Sequence, residues 1–342
     1  MKGQFLSFFL LVHMARVTSF LLSHRCTAVF ASKRRHAASL AEELQQEPLA
    51  ITMPTALSPS SIQTFRDCPQ SFLFQYIYKI KQPVNAALTT GTLCHAALEQ
   101  IFDLPASDRT LHNLQNLFRQ QWAQKRLQAD YRHLFHDQEQ HNREAEIAWG
   151  QYSLSLLKQY FEYENPAHVE RPNPLQREVW VRAHIPFEEE ESFLVRGIVD
   201  RFDMVRDSQN NIVLRLLDYK TGKAPQLKYS PAMNQKIRDE AFEQLKIYAL
   251  LYQGELPLRY LRLLFLTSPS GRAVAMDWDL GATPEERHAV LQPVQQGLVD
   301  VYQQIRALVE SQDPKVWKGC DRSFCYCHTC RPQFAAGSVW AP

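Results

Sequence analysis

The sequence predicts an α/β fold in which a mixed central sheet lies between helices. Three observations carry this. Val179 to Ile185 and Phe193 to Met204 alternate apolar with polar residues, the period of half-buried strands. Asp207-Ser208-Gln209-Asn210-Asn211 is a hairpin turn that returns the chain into a further strand, Ile212 to Tyr219. A helix over 233–253 then separates these strands from two more, Tyr260 to Thr267 and Ala273 to Trp278, which flank the turn Ser268-Pro269-Ser270-Gly271.

Helices come first in the folded part, which begins at Leu57-Ser58-Pro59-Ser60. Either serine can cap a helix, with Pro59 in a permitted early position. Ile62, Phe65, Phe72 and Tyr76 recur at helical spacing. Gly91 to Phe102 forms a second helix, opened by the glycine, with Leu93, Ala97, Leu98 and Ile101 as its buried face. Two long helical stretches, about 109–130 and 137–164, are rich in Gln, Arg and Glu. They form an α-helical insertion that shapes a channel or covers a site, or else a solvated helical hairpin. In the helix over 233–253, Phe242, Leu245, Tyr248, Ala249 and Tyr252 form the apolar side. Glu285 to Leu308 is the last long helix, and a cysteine-rich tail follows.

The chain has 342 residues, of which 45% are apolar and 22% charged, the make-up of a globular protein of one large or two modest domains. Its net charge of +2 is misleading. Residues 1–41 contain no acid and six bases: Lys2, Arg16, Arg25, Lys33, Arg34 and Arg35. Without them 32 basic residues face 36 acidic ones, a net charge of −4. Such a body has no global attraction to nucleic acid, so binding must rest on a local basic groove and on metal ions. The leader's apolar runs, Phe5 to Val12 and Val17 to Leu22, are broken by Arg16, which argues against a membrane-spanning helix and for no stable membrane insertion of the mature protein. Residues 1–41 fit a targeting presequence, with small residues around Ala28-Val29-Phe30-Ala31-Ser32, and 42–56, with Pro48 and Pro54, fit a linker. The presequence resembles the bipartite plastid type of algae with complex plastids. A mitochondrial presequence starting at Met14 competes, and a secretory signal alone is the third option.

Chemistry concentrates in two phrases, Gly197-Ile198-Val199-Asp200-Arg201 and Leu217-Asp218-Tyr219-Lys220-Thr221-Gly222. Asp218 and Lys220 are two apart and leave the same face of one strand, and Asp200 from the preceding strand can point at the same spot. Two carboxylates hold a divalent cation, and a lysine steadies the attacking water or the developing charge in phosphodiester cleavage. Singly, each aspartate would be a strand-end turn residue. Upstream lies Gly91-Thr92-Leu93-Cys94-His95, with Glu99 one turn further on. An imidazole ligand biases a cation site toward manganese over magnesium. Downstream, Gln244 and Tyr248 share a helix face at i and i+4.

In this order the motifs Gly91…His95, Gly197-Ile198-Val199-Asp200-Arg201, Asp218-Tyr219-Lys220 and Gln244…Tyr248 resemble the RecB-type branch of the PD-(D/E)XK nuclease superfamily, over about Leu57 to Cys330. The resemblance implies a restriction-endonuclease-like core over 57–335 and a Mg²⁺- or Mn²⁺-dependent deoxyribonuclease acting in DNA repair or recombination. It implies that His95, Asp200 and Asp218 bind the metal, with the Tyr219 backbone carbonyl completing the site. Lys220 is then catalytic, while Gln244 and Tyr248 organise the site or bind DNA, either single-stranded or at duplex ends. A nucleic-acid-binding module with weak or no nuclease chemistry is the alternative. The chain has no Gly-rich phosphate loop followed by Lys and Ser or Thr, so unwinding would need a separate helicase.

Of seven cysteines, Cys320, Cys325, Cys327 and Cys330 fall within eleven positions, while Cys68 stands far upstream in Phe65-Arg66-Asp67-Cys68-Pro69-Gln70-Ser71-Phe72. Cys26 lies in the leader, and Cys94 is a small core residue. The Cys68 phrase resembles the first cysteine motif of iron–sulfur RecB-type nucleases, which implies a [4Fe–4S] cluster held by one N-terminal and three C-terminal cysteines. The C-terminal spacing departs from that subgroup. Four cysteines compete for three places and His328 is a further ligand, so a Zn²⁺ site in the C-terminal group is the alternative.

Overall fold

The computed structural model describes residues 50–137, 140–170 and 176–330; the presequence expected over 1–41 lies outside the described residues. The helices are α1 (Pro59–Asp67), α2 (Pro69–Phe72), α3 (Ala86–Gln100), α4 (Leu111–Lys125), α5 (Arg143–Tyr163), α6 (Pro231–Leu251), α7 (Pro284–Glu310) and α8 (Tyr326–Cys330). The central strands are β1 (Arg177–Pro186), β2 (Ser192–Arg206), β3 (Ile212–Lys223), β4 (Leu258–Thr267) and β5 (Val274–Asp279). They lie in chain order in one sheet. Only β3 and β4 are parallel, because α6 carries the chain from one end of β3 back to the start of β4; the other pairs are antiparallel. This is the mixed α/β sheet that the strand pattern predicts.

Helices pack against both faces of the sheet. On one face Val181, Val195, Leu216, Leu261 and Leu263 pack with Ile62 and Phe65 of α1, Phe242 and Leu245 of α6, and Leu298 and Ile305 of α7. On the other, Leu217, Tyr219, Leu264 and Leu266 meet Leu93 and Leu98 of α3, Phe118 of α4, and Leu156, Leu157 and Tyr160 of α5. Burying an aliphatic or aromatic side chain contributes about 1.5–3 kcal/mol, so both layers stabilise the sheet. The Gln- and Glu-rich helices α4 and α5 are thus packed through one apolar stripe. Trp149 fixes α5 to α3 by donating from Nε1 to Thr90 Oγ1 at 2.8 Å.

Three boundaries depart from the sequence reading. The helix bearing His95 starts at Ala86 rather than Gly91, capped by Asn85 Oδ1, which accepts from Leu88 N. Gly91 is therefore interior to α3, where its open Cα faces Thr221 Oγ1. The first helix is cut at Cys68, whose backbone is extended (φ −167°, ψ 101°) because the following Pro69 disfavours helical geometry before it. Cys68 then caps α2, its Sγ accepting from Ser71 N at 3.4 Å. Within 42–56, expected to be a linker, Ile51 is buried, and its carbonyl accepts from Gln312 Nε2 at 2.8 Å. Among the described residues no helix is long and apolar enough to cross a membrane.

Candidate active site

β2 changes neighbours along its length. From Arg201 to Arg206 it pairs with β3. Before that point Leu57 takes the place of β3: Leu57 N donates to Leu194 O at 2.9 Å, and Arg196 N donates to Leu57 O at 3.0 Å. The strand is irregular where the switch occurs. Val199 and Phe202 enter the same core cluster, although residues three apart on an even strand face opposite sides. Asp200 sits at this fork between β2 and β3. Its Oδ2 accepts the Tyr219 backbone N–H at 2.7 Å, which replaces the strand pairing that ends there.

Side chains reach the fork from both layers. From α3, His95 Nδ1 lies 3.3 Å from Asp200 Oδ2. From β3, Asp218 and Lys220 form an ion pair of 2.7 Å between Oδ2 and Nζ, and Lys220 Nζ also donates to Gln244 Oε1 at 2.7 Å. Gln244 Nε2 donates to Tyr248 OH at 2.9 Å, which orients the amide so that its oxygen faces the lysine. The Tyr248 ring crosses β2 at Gly197, where a Cβ would collide with it; this is the physical reason for the first glycine of the Gly197…Arg201 phrase. The structure thus brings His95, Asp200, Asp218, Tyr219, Lys220, Gln244 and Tyr248 into one fork.

The sequence reading missed Glu178. Arg177 pairs with Arg201 and Val179 with Val199, so Glu178 stands directly across from Asp200. Like charges opposite each other destabilise a sheet. Ligand atoms of His95, Glu178 and Asp200 nevertheless lie within 4.8 Å of one another. Glu178 also has left-handed backbone (φ 50°), a strained state for a non-glycine residue. Buried Arg177 holds this turn in place by donating to Glu99 O at 2.5 Å and Asp103 Oδ1 at 2.8 Å. The signal was in the sequence. Pairing Pro186 with Ser192 across the acidic turn, and counting back from Asp200, reaches Glu178.

Charge at the fork is unbalanced. Burial, then the charges of Asp200 and Glu99, raise the Glu178 carboxyl to about 7. Burial and Asp200 raise Asp218 to about 6 against the pull of Lys220. Burial alone would lower His95, but Asp200, by charge and hydrogen bond, and then Asp218 raise it to about 9. The Lys220 contact to Asp218 is ionic in geometry, and Asp218 Oδ2 has no aligned hydrogen-bond donor. His95, Glu178 and Asp200, short of positive charge, are a donor set for a hard divalent cation, with Asp218 coupled to them by charge and paired with Lys220.

Arg201 forms the floor of the fork. It is buried, donates to Glu164 through both terminal nitrogens at 3.0 Å, to Asp203 Oδ2 at 3.0 Å and to Tyr219 OH at 2.7 Å. It locks β2, β3 and the end of α5 together and fixes Tyr219, whose backbone meets Asp200.

Apart from the fork, Cys68, Cys320, Cys325 and Cys327 bring their sulfurs within 4.8 Å of one another. All are free thiols. Cys320 and Cys327 are 3.9 Å apart. Cys330 does not join this set and is buried in the core, and the His328 ring meets the Cys320 carbonyl. The segment around α2 and the residues before α8 meet beside this group: Gln70 N donates to Lys318 O at 3.1 Å, and Trp317 stacks on Phe72 with centroids 6.2 Å apart.

A solved structure described as the crystal structure of SSO0001 is similar at 12% identity, covering 89% of this chain and 98% of that one, with a TM-score of 0.35. No curated protein matches the chain. The model of the PD-(D/E)XK nuclease superfamily matches residues 56–332, a span that takes in the fork and all four clustered sulfurs. By that match, over most of its length, the chain belongs to the PD-(D/E)XK nuclease superfamily.

Proposed function

We propose that this protein is a metal-dependent deoxyribonuclease of RecB type that hydrolyses phosphodiester bonds, as exonuclease or endonuclease, in DNA repair or recombination. The convergence of Glu178 and Asp200 with His95, next to Asp218 and its tethered lysine, carries the reading. His95, Glu178, Asp200 and Asp218 would hold Mg²⁺ or Mn²⁺, with the Tyr219 carbonyl as a further oxygen. A divalent cation in such a site polarises the phosphate and makes hydroxide available at neutral pH. Lys220 stays positioned between Asp218 and Gln244 and offsets charge on the phosphoryl oxygens. Tyr248 is kept neutral, since burial raises its phenol to about 12, and it holds Gln244 in the orientation that presents Oε1 to Lys220. An ATP-driven helicase, if one serves this nuclease, is a separate partner. The acid-free residues 1–41 support delivery to an organelle, a plastid ahead of a mitochondrion.

The cysteine group fits a structural metal. Four sulfurs around one Zn²⁺ stand about 3.8 Å apart, given Zn–S bonds near 2.3 Å, and Cys320 and Cys327 match that spacing. A [4Fe–4S] cluster, which the Cys68 phrase implies, places four irons between its ligands and holds the sulfurs wider. Iron and acid-labile sulfide in anaerobically purified protein would mean the cluster; zinc in their place would mean the single ion.

The activity test uses end-labelled single- and double-stranded DNA with Mg²⁺ or Mn²⁺, and with EDTA. Asp218→Ala and Lys220→Ala are expected to lower the rate by at least about 10²–10³-fold, on the scale of losing one charge-stabilising group. Variants that degrade DNA at the wild-type rate would overturn the reading. Wild-type protein that binds DNA but leaves it intact in either metal would favour a binding module.

A further inference from the structure

The sheet face that carries Glu178 and Asp200 continues outward beyond α3. Antiparallel register places Trp180 across from Ile198, Arg182 across from Arg196, and His184 across from Leu194 on that face, since the odd-numbered neighbours Val181, Ile185 and Val195 point into the opposite core. Trp180 is 63% exposed, and Arg182, Arg196 and His184 are exposed as well. Arg196 lies over the Trp180 ring, 5.7 Å from its centroid. Among the described residues neither Arg182 nor Arg196 has a carboxylate partner, although the two cations stand directly opposite each other. That arrangement destabilises a bare sheet and suits an anion bridging the pair. Beyond Pro186 the four glutamates Glu188–Glu191 end the cationic stretch.

We propose that Trp180, Arg182 and Arg196 form a track for the single-stranded part of the substrate, running outward from the carboxylates. The inference rests on the nuclease reading above and adds to it the surface and residues that would hold the single strand. Trp180 lies one strand repeat from Glu178, about 7 Å, and Arg182 lies two repeats away, about 13 Å. The indole can stack on a base next to the scissile phosphate, and the arginine pair can hold a phosphate further along. Stacking on an open sheet face needs an unpaired base. The track therefore selects single strands or frayed ends over intact duplex.

The test measures fluorescence anisotropy of a labelled oligonucleotide, as single strand and as duplex, with the full chain in Ca²⁺, together with cleavage in Mg²⁺ or Mn²⁺. Trp180→Ala is expected to weaken single-strand binding about 10-fold, on the scale of removing one stacked base, with a much smaller effect on duplex. Trp180→Phe should recover most of the affinity. The double variant Arg182→Ala/Arg196→Ala should lower the slope of log K against log salt by about 0.7, the share of the one phosphate the pair holds. An active wild type with Trp180→Ala unchanged on single strands would overturn this inference alone, as would equal losses on single strand and duplex. A wild type that neither binds nor cleaves any nucleic acid would overturn the nuclease reading and the track with it.

Discussion

The fork at Asp200 and the sulfur group at Cys68 both gather metal-ligating side chains from distant parts of the chain, yet the fold builds them differently. The fork draws on α3, β1, β2, β3 and α6, elements buried in the two main cores, and leaves carboxylates of like charge facing one another. The sulfur group joins a helix break near the start of the domain to a short tail more than two hundred residues later. Thiol acidity is uneven there. Burial pushes the Cys68 and Cys327 thiols up, whereas Cys320, despite its own desolvation, is lowered to about 6 by hydrogen bonds from the Arg322 backbone and guanidinium. On the proposed reading, removing a ligand at the fork is expected to relieve repulsion, lowering activity while the fold stands. If a metal joins the four sulfurs, removing one is expected to open the closure between the α1–α2 break and the C-terminal segment, so that stability falls first.

Cys68→Ser should give the largest stability change. Closing a loop of that length by a covalent bridge restricts the unfolded chain by roughly 5 kcal/mol, and a shared metal imposes a comparable restraint. The expected drop in melting temperature is about 10–20 °C. Cys330→Ala, which leaves the four-sulfur set intact, should cost only a few degrees. Circular dichroism on both variants, with metal content measured alongside, checks this. Equal melting temperatures for the two would break the distinction between a metal ligand and a packed thiol.

Glu178→Gln probes the other region and should act in the opposite sense on stability. Without added divalent metal, the variant is expected to melt above the wild type at pH 8, because one of two opposed carboxylates is gone. Its Mn²⁺ affinity should fall about 10–100-fold, the scale of losing a group that supports a metal site. Isothermal titration with Mn²⁺ and a melting curve on one sample measure both. Weaker metal binding with a lower melting temperature would make Glu178 a structural residue.

The contrast also marks what the sequence could carry. Strand alternation and helix caps are local, so all five central strands and the helices bearing Gln244 and the final Glu285–Leu308 segment were legible to within a few residues. The start of α3 was not. Asn85 caps it inside a run of Ala and Thr with no strong periodicity, and Gly91 is the more visible punctuation. Asp200, Asp218 and Lys220 stand in recognisable phrases, while Glu178 acquires its place only through cross-strand register and a left-handed backbone. Arg201 was visible as a letter, but its partner Glu164 lies at the end of α5, a distance that no local pattern encodes. The choice of Cys327 over Cys330 likewise depends on which turn of a five-residue helix faces Cys68.

The smallest effect, and the sharpest test of the fork's unbalanced charge, is the pH dependence of stability without added Mg²⁺ or Mn²⁺. Glu178 and Asp218 titrate near 7 and 6 in the folded state and near their ordinary carboxylate values when unfolded. Between about pH 4 and 7 the native protein therefore binds more protons than the unfolded chain, and stability falls as pH rises. His95, raised to about 9, acts with the same sign: its contribution is complete below about 6.5 and is lost as pH rises through 9. The melting temperature is expected to decline by a few degrees from pH 5 to pH 9, with a shallower decline in Glu178→Gln. Mn²⁺ should reverse the trend above pH 7, because the ion binds the deprotonated carboxylates and neutral imidazole that otherwise strain the fork. A metal-free wild type that gains stability across this range would show that the carboxylates at Asp200 are already balanced by the protein's own cations.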